Sequence, residues 1–276
     1  MIKLIAVDMD GTLLQSNNQI GEETKQALKK ADEAGIKVVP ASGRPLPGVI
    51  PYMGELAING DDNYAVLYNG GLVQSISGNV LISHQFDYDE FRKFIQLQKQ
   101  NPGVNLHFMK EHDYWTLDRR LSTKMAKMSA VSGAPFVVKD FDEVPADFQF
   151  IKAEYTGPKN KLDRLEQNIP EWLKDYNVAR SDPMILEINK REASKGRGVH
   201  QLAQKLGIKD DEVMIFGDQG NDISMFKNPD FKKVAMGNAI DEIKEKADFV
   251  TKSNDEAGIA YAIDKFIFLM LEKNIR

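Results

Sequence analysis

The sequence predicts an α/β fold, a parallel sheet interrupted by an inserted α+β domain. Three observations predict it: apolar runs alternate with helix-forming segments at both ends of the chain, polar loops close several of those runs, and the middle third changes to hairpin signals.

From the start, IKLIAV is a short continuous apolar run rich in β-branched residues, the pattern of a strand buried on both faces. GEETKQALKKADEAG brings helix formers, apolar positions at Ala27, Leu28, Ala31 and Ala34, and a stop at Gly35. IKVVPASGRP returns to strand character and ends in a Ser-Gly loop. The last third repeats the alternation, with a helix from about Ser194 to Leu206, a strand at EVMIFGD, a helix at NDISMF, a short strand at KKVAMG, a helix at AIDEIKEKA and a strand at DFVT. Between them, YAVLYNGGLVQ and SGNVLISHQF carry Asn-Gly and Gly-Asn signals that belong to hairpins. The insert continues with helices at DYDEFRKFIQLQKQ, LSTKMAKMSAVSG and NKLDRLEQNIPEWLKD, and with strands around VNLHFM, DYWTL, QFIKAEY, YNVARS and MILEIN. The expected division is a core of residues 1–82 and 190–276 and an insert of residues 83–189.

Composition narrows the function. A net charge of -5, with Lys and Arg spread along the 276 residues, argues against a nucleic-acid partner. No cysteine means no disulfide and no thiolate chemistry, which fits a reducing cytoplasm. The N-terminal apolar run is cut by Asp8 and Asp10 before it reaches the length of a secretory signal, and FIFLML near the C-terminus is far too short for a membrane span. The expectation is a soluble cytoplasmic protein.

Four polar stretches fall at expected strand ends or helix starts: DMDGT, ASGRP, SKGRG and GDQGND. In an open parallel sheet such ends share one rim, where ligands bind. Asp8 and Asp10 stand two residues apart with no basic residue between them, so their repulsion calls for a cation or a proton. Oxygen ligands from Asp8, Asp10 and Asp218 suit a hard ion such as Mg²⁺. Asp8 is then a carboxylate nucleophile toward phosphorus and Asp10 a general acid and base. Ser42 and the backbone N–H of Gly43 are donors for phosphate oxygens, and Lys195 adds positive charge at a helix start.

DMDGTLL, ASGR, SKGRGV and GDQGNDISMF resemble, in order and approximate spacing, the four motifs of the haloacid dehalogenase superfamily, and VAMGNAIDEIKEKADFVTKSNDEAGIAYAI resembles the tail of its Cof-type branch. The resemblance implies a Rossmann-like parallel-sheet core with a large α/β cap of the C2 type between motifs two and three. It implies a Mg²⁺-dependent phosphatase with Asp8 as nucleophile and Asp10 as acid/base. Metal binding is implied for Asp8, the main-chain carbonyl of Asp10 and Asp218, with Asp222 nearby, and phosphate contacts for Ser42, Lys195 and Asn221. Motif two carries Ser42 where many relatives have Thr, which keeps the hydroxyl. Arg191 and Glu192 make the approach to motif three unusually charged.

Taken singly, each stretch reads equally as a turn or helix cap; together, in one order, they select phosphoryl transfer. The expected substrate is a small phosphorylated metabolite such as a sugar phosphate or pyridoxal phosphate, with the insert acting as a lid that excludes water and selects the leaving group. Two rivals are a phosphomutase on a similar core and a non-enzymatic phospho-aspartate switch. His84, His107, His112 and His200 lack paired metal spacing and are expected at the surface or in hairpins. Trp115 and Trp172 are expected to pack in the core, and KEHD to form a solvated hairpin tip. The oligomeric state has no sequence signal.

Overall fold

A computed structural model describes residues 1–269. In chain order the strands are β1 (Leu4–Val7), β2 (Lys37–Pro40), β3 (Tyr64–Leu67), β4 (Leu72–Ser75), β5 (Val80–Ser83), β6 (Asn105–Met109), β7 (Tyr114–Thr116), β8 (Phe136–Val138), β9 (Lys152–Thr156), β10 (Tyr176–Asp182), β11 (Ile185–Lys190), β12 (Val213–Gly217), β13 (Lys232–Ala235) and β14 (Phe249–Val250). The α-helices are α1 (Glu22–Glu33), α2 (Ile50–Glu55), α3 (Tyr88–Gln100), α4 (Thr123–Ser132), α5 (Lys159–Gln167), α6 (Lys195–Lys205), α7 (Ile223–Phe226), α8 (Asp241–Lys246) and α9 (Gly258–Ile263). They form two compact units: Met1–Gly43, Val49–Ile82 and the described residues from Ser194 onward, and Arg44–Gly48 with Ser83–Ala193.

The first unit is built on a parallel sheet of order β14-β13-β12-β1-β2. β1 and β12 at its centre are buried along their whole length, which is why they show no polar alternation. The chain runs from β1 to β2 on one side and from β12 to β14 on the other. The strand order therefore reverses between β1 and β12, and in open α/β sheets ligands bind outside the carboxyl ends of the strands at such a point. Helix α1 buries Ala27, Leu28 and Ala31, and Gly35 follows it at φ +82°. β3, β4 and β5 form a separate small sheet in which β3 and β4 pair antiparallel. The expected NDISMF helix is shorter than its motif: a 3₁₀ turn over Gly220–Asp222 precedes the four residues of α7.

The second unit holds a six-stranded sheet of order β10-β11-β9-β6-β7-β8, antiparallel except for β7 beside β8. One face carries Leu106, Phe108, Ala153, Tyr155, Leu186 and Ile188 into a core shared with Phe91, Phe94, Leu162 and Leu165 of α3 and α5. Trp115 and Trp172 pack against this core. The alternating residues Lys152, Glu154 and Thr156 belong to the opposite face. A capping box between Asp87 and Glu90 starts α3.

One expected element is corrected. NKLDRLEQNIPEWLKD is not one helix: α5 ends at Gln167 and a 3₁₀ turn covers Glu171–Asp175, because Pro170 lacks a donor N–H and restricts Ile169 before it. Of the two places expected for the histidines, His107 takes the hairpin, that of β6 and β7, and not the surface. It lies fully buried on β6, its Nε2 3.1 Å from Thr156 Oγ1, and burial pushes its pKa down to about 3. Helix α2 and strand β8 had no expected counterpart. Among the described residues no helix is long and apolar enough to cross a membrane; Met270 and Leu271 of FIFLML lie outside them.

Candidate active site

Asp8 is the first residue past β1. Its N–H donates to the Phe216 carbonyl at 3.1 Å, extending the ladder to β12 by one step and fixing the carboxylate at the strand end. The chain then turns tightly: the N–H groups of Leu13 and Leu14 donate to the carbonyls of Asp8 and Met9 at 3.0 and 2.8 Å. Gly11 makes this turn at φ +84°, and a Cβ there would stand 2.5 Å from Asp218 Oδ2. Thr12 Oγ1 donates to Asp218 Oδ1 at 2.7 Å. Asp10 occupies the same turn and is exposed.

Lys195 opens α6 behind the N-cap Ser194 and is completely buried. Its Nζ donates to Asp8 Oδ1 at 2.5 Å and to Asp222 Oδ1 at 2.7 Å. The other oxygen of Asp222 accepts the N–H groups of Asp218 and Gln219 at 2.9 and 3.0 Å. Asp222 therefore anchors both the lysine and the turn that carries Asp218.

Three buried carboxylates, Asp8, Asp218 and Asp222, face one ammonium. Burial drives the Asp8 carboxyl well above its usual range; Lys195 opposes this, while Asp222 and Asp218 add to it. Burial also raises Asp218, against its hydrogen bond from Thr12. Burial would depress Lys195, but Asp222 and Asp8 reverse that and hold it protonated. One oxygen from each of the three carboxylates lies within 4.8 Å of the others. An all-oxygen set with surplus negative charge fits a hard divalent cation of the Mg²⁺ kind.

The remaining candidates are Ser42, Gly43 and Asn221. Ala41 N–H donates to the Val7 carbonyl and Ser42 N–H to the Val66 carbonyl, both at 2.8 Å, so the Ser42–Gly43 loop leaves β2 between β1 and β3. Ser42 is buried, whereas Asn221 is exposed and its Nδ2 donates to Asn69 Oδ1 at 3.4 Å. Asp8, Lys195, Asp218 and Asp222 thus form one bonded cluster, while Gly43 and Asn221 meet at Asn69. Asp10 stands on the rim of the first group. Arg191 belongs to the second unit, with a bond to the Lys174 carbonyl at 3.2 Å and Asp175 at 3.7 Å.

Sequence reasoning missed three supports. Thr12 was read only as part of DMDGT. Asn238 donates to the Gly11 carbonyl and Asn254 to the Leu14 carbonyl, both at 2.8 Å, bracing the Asp8–Leu14 turn from the far end of the chain. Nothing local marks Asn238 or Asn254 for this task.

A family model described as haloacid dehalogenase-like hydrolase matches residues 5–263. The chain is 39% identical over 271 residues to "Putative phosphatase YxeH" of Bacillus subtilis, covering 97% of this chain and 99% of that protein. It is 33% identical over 299 residues to 5-amino-6-(5-phospho-D-ribitylamino)uracil phosphatase YwtE of the same organism, covering 96% of this chain and 98% of that one. A solved structure of a haloacid dehalogenase-like hydrolase from Bacteroides thetaiotaomicron superposes with a TM-score of 0.86 at 29% identity, covering 97% of this chain and 100% of that chain.

Proposed function

The chain belongs to the haloacid dehalogenase-like hydrolases, and from that premise we propose that this phosphatase hydrolyses small phosphate monoesters, of the sugar-phosphate kind, through a Mg²⁺-dependent phospho-Asp8 intermediate. The observation that carries the reading is the buried Asp8 carboxylate at the end of a central parallel strand, bonded to Lys195 and clustered with Asp218 and Asp222.

In the first half-reaction an Asp8 oxygen bonds to phosphorus as the bond from phosphorus to the leaving oxygen breaks, and Asp10 gives that oxygen its proton. In the second, water attacks the phosphorus of phospho-Asp8 and passes a proton to Asp10. The acyl phosphate bond breaks, and inorganic phosphate and the Asp8 carboxylate are restored. Lys195, the Ser42 hydroxyl, the Gly43 N–H and the Asn221 amide donate to the phosphate oxygens, where charge builds in the transition state. Asp8, Asp218, the Asp10 carbonyl and Asp222 are the groups that would hold Mg²⁺, which when bound screens the carboxylate nucleophile from the anionic ester.

The cluster draws only on the first unit. A ribityl phosphate substrate, named for the relative at 33% identity, supports a small metabolite as the substrate class. A cysteine-free chain suits a reducing cytoplasm. Hydrolase membership speaks against the phosphomutase and the non-enzymatic switch.

The test is phosphate release from a panel of small phosphomonoesters, with Mg²⁺ or with a chelator, by the native chain and by Asp8→Asn. Turnover should require both Mg²⁺ and Asp8. Release that persists in Asp8→Asn would refute the intermediate, and a folded native chain that releases nothing from any ester would refute the substrate class.

A further inference from the structure

Tyr68, Asn69 and Gly70 connect β3 to β4 with three consecutive positive φ angles of +51°, +55° and +90°. Glycine adopts such a backbone without strain and asparagine tolerates it, but tyrosine does not favour it. Strained turns of this kind persist where surrounding contacts hold them, and often where they serve a site.

The contacts of this turn are specific. Asn69 N–H donates to the Ser42 carbonyl at 2.9 Å. Asn69 Oδ1 accepts from Asn221 Nδ2 at 3.4 Å, and the same oxygen would lie 3.2 Å from a Cβ placed on Gly43. A side chain at Gly70 would collide with the Ser194 carbonyl, and Ser194 caps the helix that delivers Lys195 to Asp8. One turn therefore touches Ser42–Gly43, Asn221 and the start of α6.

We infer that Asn69 is a positioning residue for phosphate recognition: its carboxamide oxygen orients the Asn221 amide toward the phosphate, and its backbone N–H keeps the Ser42–Gly43 loop in place beside it. The inference rests on the phosphatase reading above. Asparagine suits the position because it accepts the left-handed backbone and also supplies the acceptor that glycine lacks.

The experiment compares the full chain with Asn69→Gly, Asn221→Ala and the double variant, reading kcat, KM, inhibition by inorganic phosphate and melting temperature. Glycine keeps the left-handed backbone and the Ser42 bond and removes only the carboxamide. Each single variant should weaken phosphate inhibition and kcat/KM by about tenfold, the scale of one oriented hydrogen bond. The double variant should lose little more than either single one, as expected for two residues acting as a unit, and Asn69→Gly should melt within a few degrees of the native chain. Additive losses, or native phosphate inhibition in Asn69→Gly, would overturn the inference. Should Asn69→Gly fail to fold, Asn69→Asp keeps the acceptor and the backbone preference while setting an anion beside the phosphate. It should weaken phosphate inhibition more than tenfold, and native inhibition would again overturn the inference. A native chain without turnover on any ester marks the different failure, that of the phosphatase reading, and the inference falls with it.

Discussion

Each unit buries one lysine between two carboxylates, yet the two arrangements are delivered by different backbones. In the first, Lys195 reaches Asp8 and Asp222 at 2.5 and 2.7 Å. In the second, Lys152 reaches Glu154 and Glu187 at 2.7 and 2.9 Å. The second group sits in mid-sheet on strands in register, with Glu187 and His107 flanking Glu154 from either side. The first comes from a strand end, a helix start and a turn far apart in sequence. It also carries a third carboxylate, Asp218. Burial raises Glu154 to about 7 despite Lys152, and Lys152 itself stays charged because Glu154 and Glu187 outweigh its burial. A charge group locked between ladder strands has little freedom to exchange a partner for a ligand, whereas one on loop ends can. Surplus negative charge at loop ends is what distinguishes the proposed site from the more nearly balanced group within the sheet.

The comparison can be broken most severely at its two lysines. Lys195→Met should lower turnover by about 10³-fold or more by removing the proposed phosphate donor and a partner of Asp8. It should also destabilise the metal-free chain, with added Mg²⁺ restoring part of the loss in a denaturation titration. Lys152→Met should cost about 3–5 kcal/mol of stability by leaving two buried carboxylates without their cation, while turnover below the melting transition stays within about threefold of native. Mg²⁺ should not rescue it. If Mg²⁺ rescued both variants equally, or if Lys152→Met were the inactive one, the distinction between site and scaffold would fail.

A smaller effect sharpens the picture of the second unit. His107 has a folded pKa of about 3 against 6.5 for the free group. The unfolded chain therefore takes up a proton below 6.5 that the folded chain refuses until about 3, and stability falls as pH drops through that window. The loss from this residue should reach about 2 kcal/mol at pH 5 and vanish above 7. Urea denaturation at pH 5 and 7.5 measures it, and His107→Gln should lack this component. An unchanged pH slope in that variant would place the effect elsewhere.

The first unit was the more legible. Its two inner strands β1 and β12 are uniformly apolar because both faces are covered, and each expected strand and helix there has a counterpart within a few residues. Asp8, Lys195, Asp218 and Asp222 could be named because each follows a strand or opens a helix within a recognisable motif. The insert was legible in its elements but not in its interior. Pro170 is a local signal for the break between α5 and the turn after it, but no local pattern shows that His107 is buried or that Lys152 meets Glu187 across a pair of strands.

By itself the sequence determined the α/β class, the strand ends that carry carboxylates, and the order in which the motifs arrive. Those features depend on residue type and on neighbours a few positions away. Only the tertiary structure decided that Asp222 spends both oxygens on Lys195 and two backbone N–H groups, that Thr12 holds Asp218, and that Asn238 braces the Gly11 carbonyl. These bonds join residues brought together by packing, and a hydrogen bond is set by distance and angle in space, which spacing along the chain does not specify.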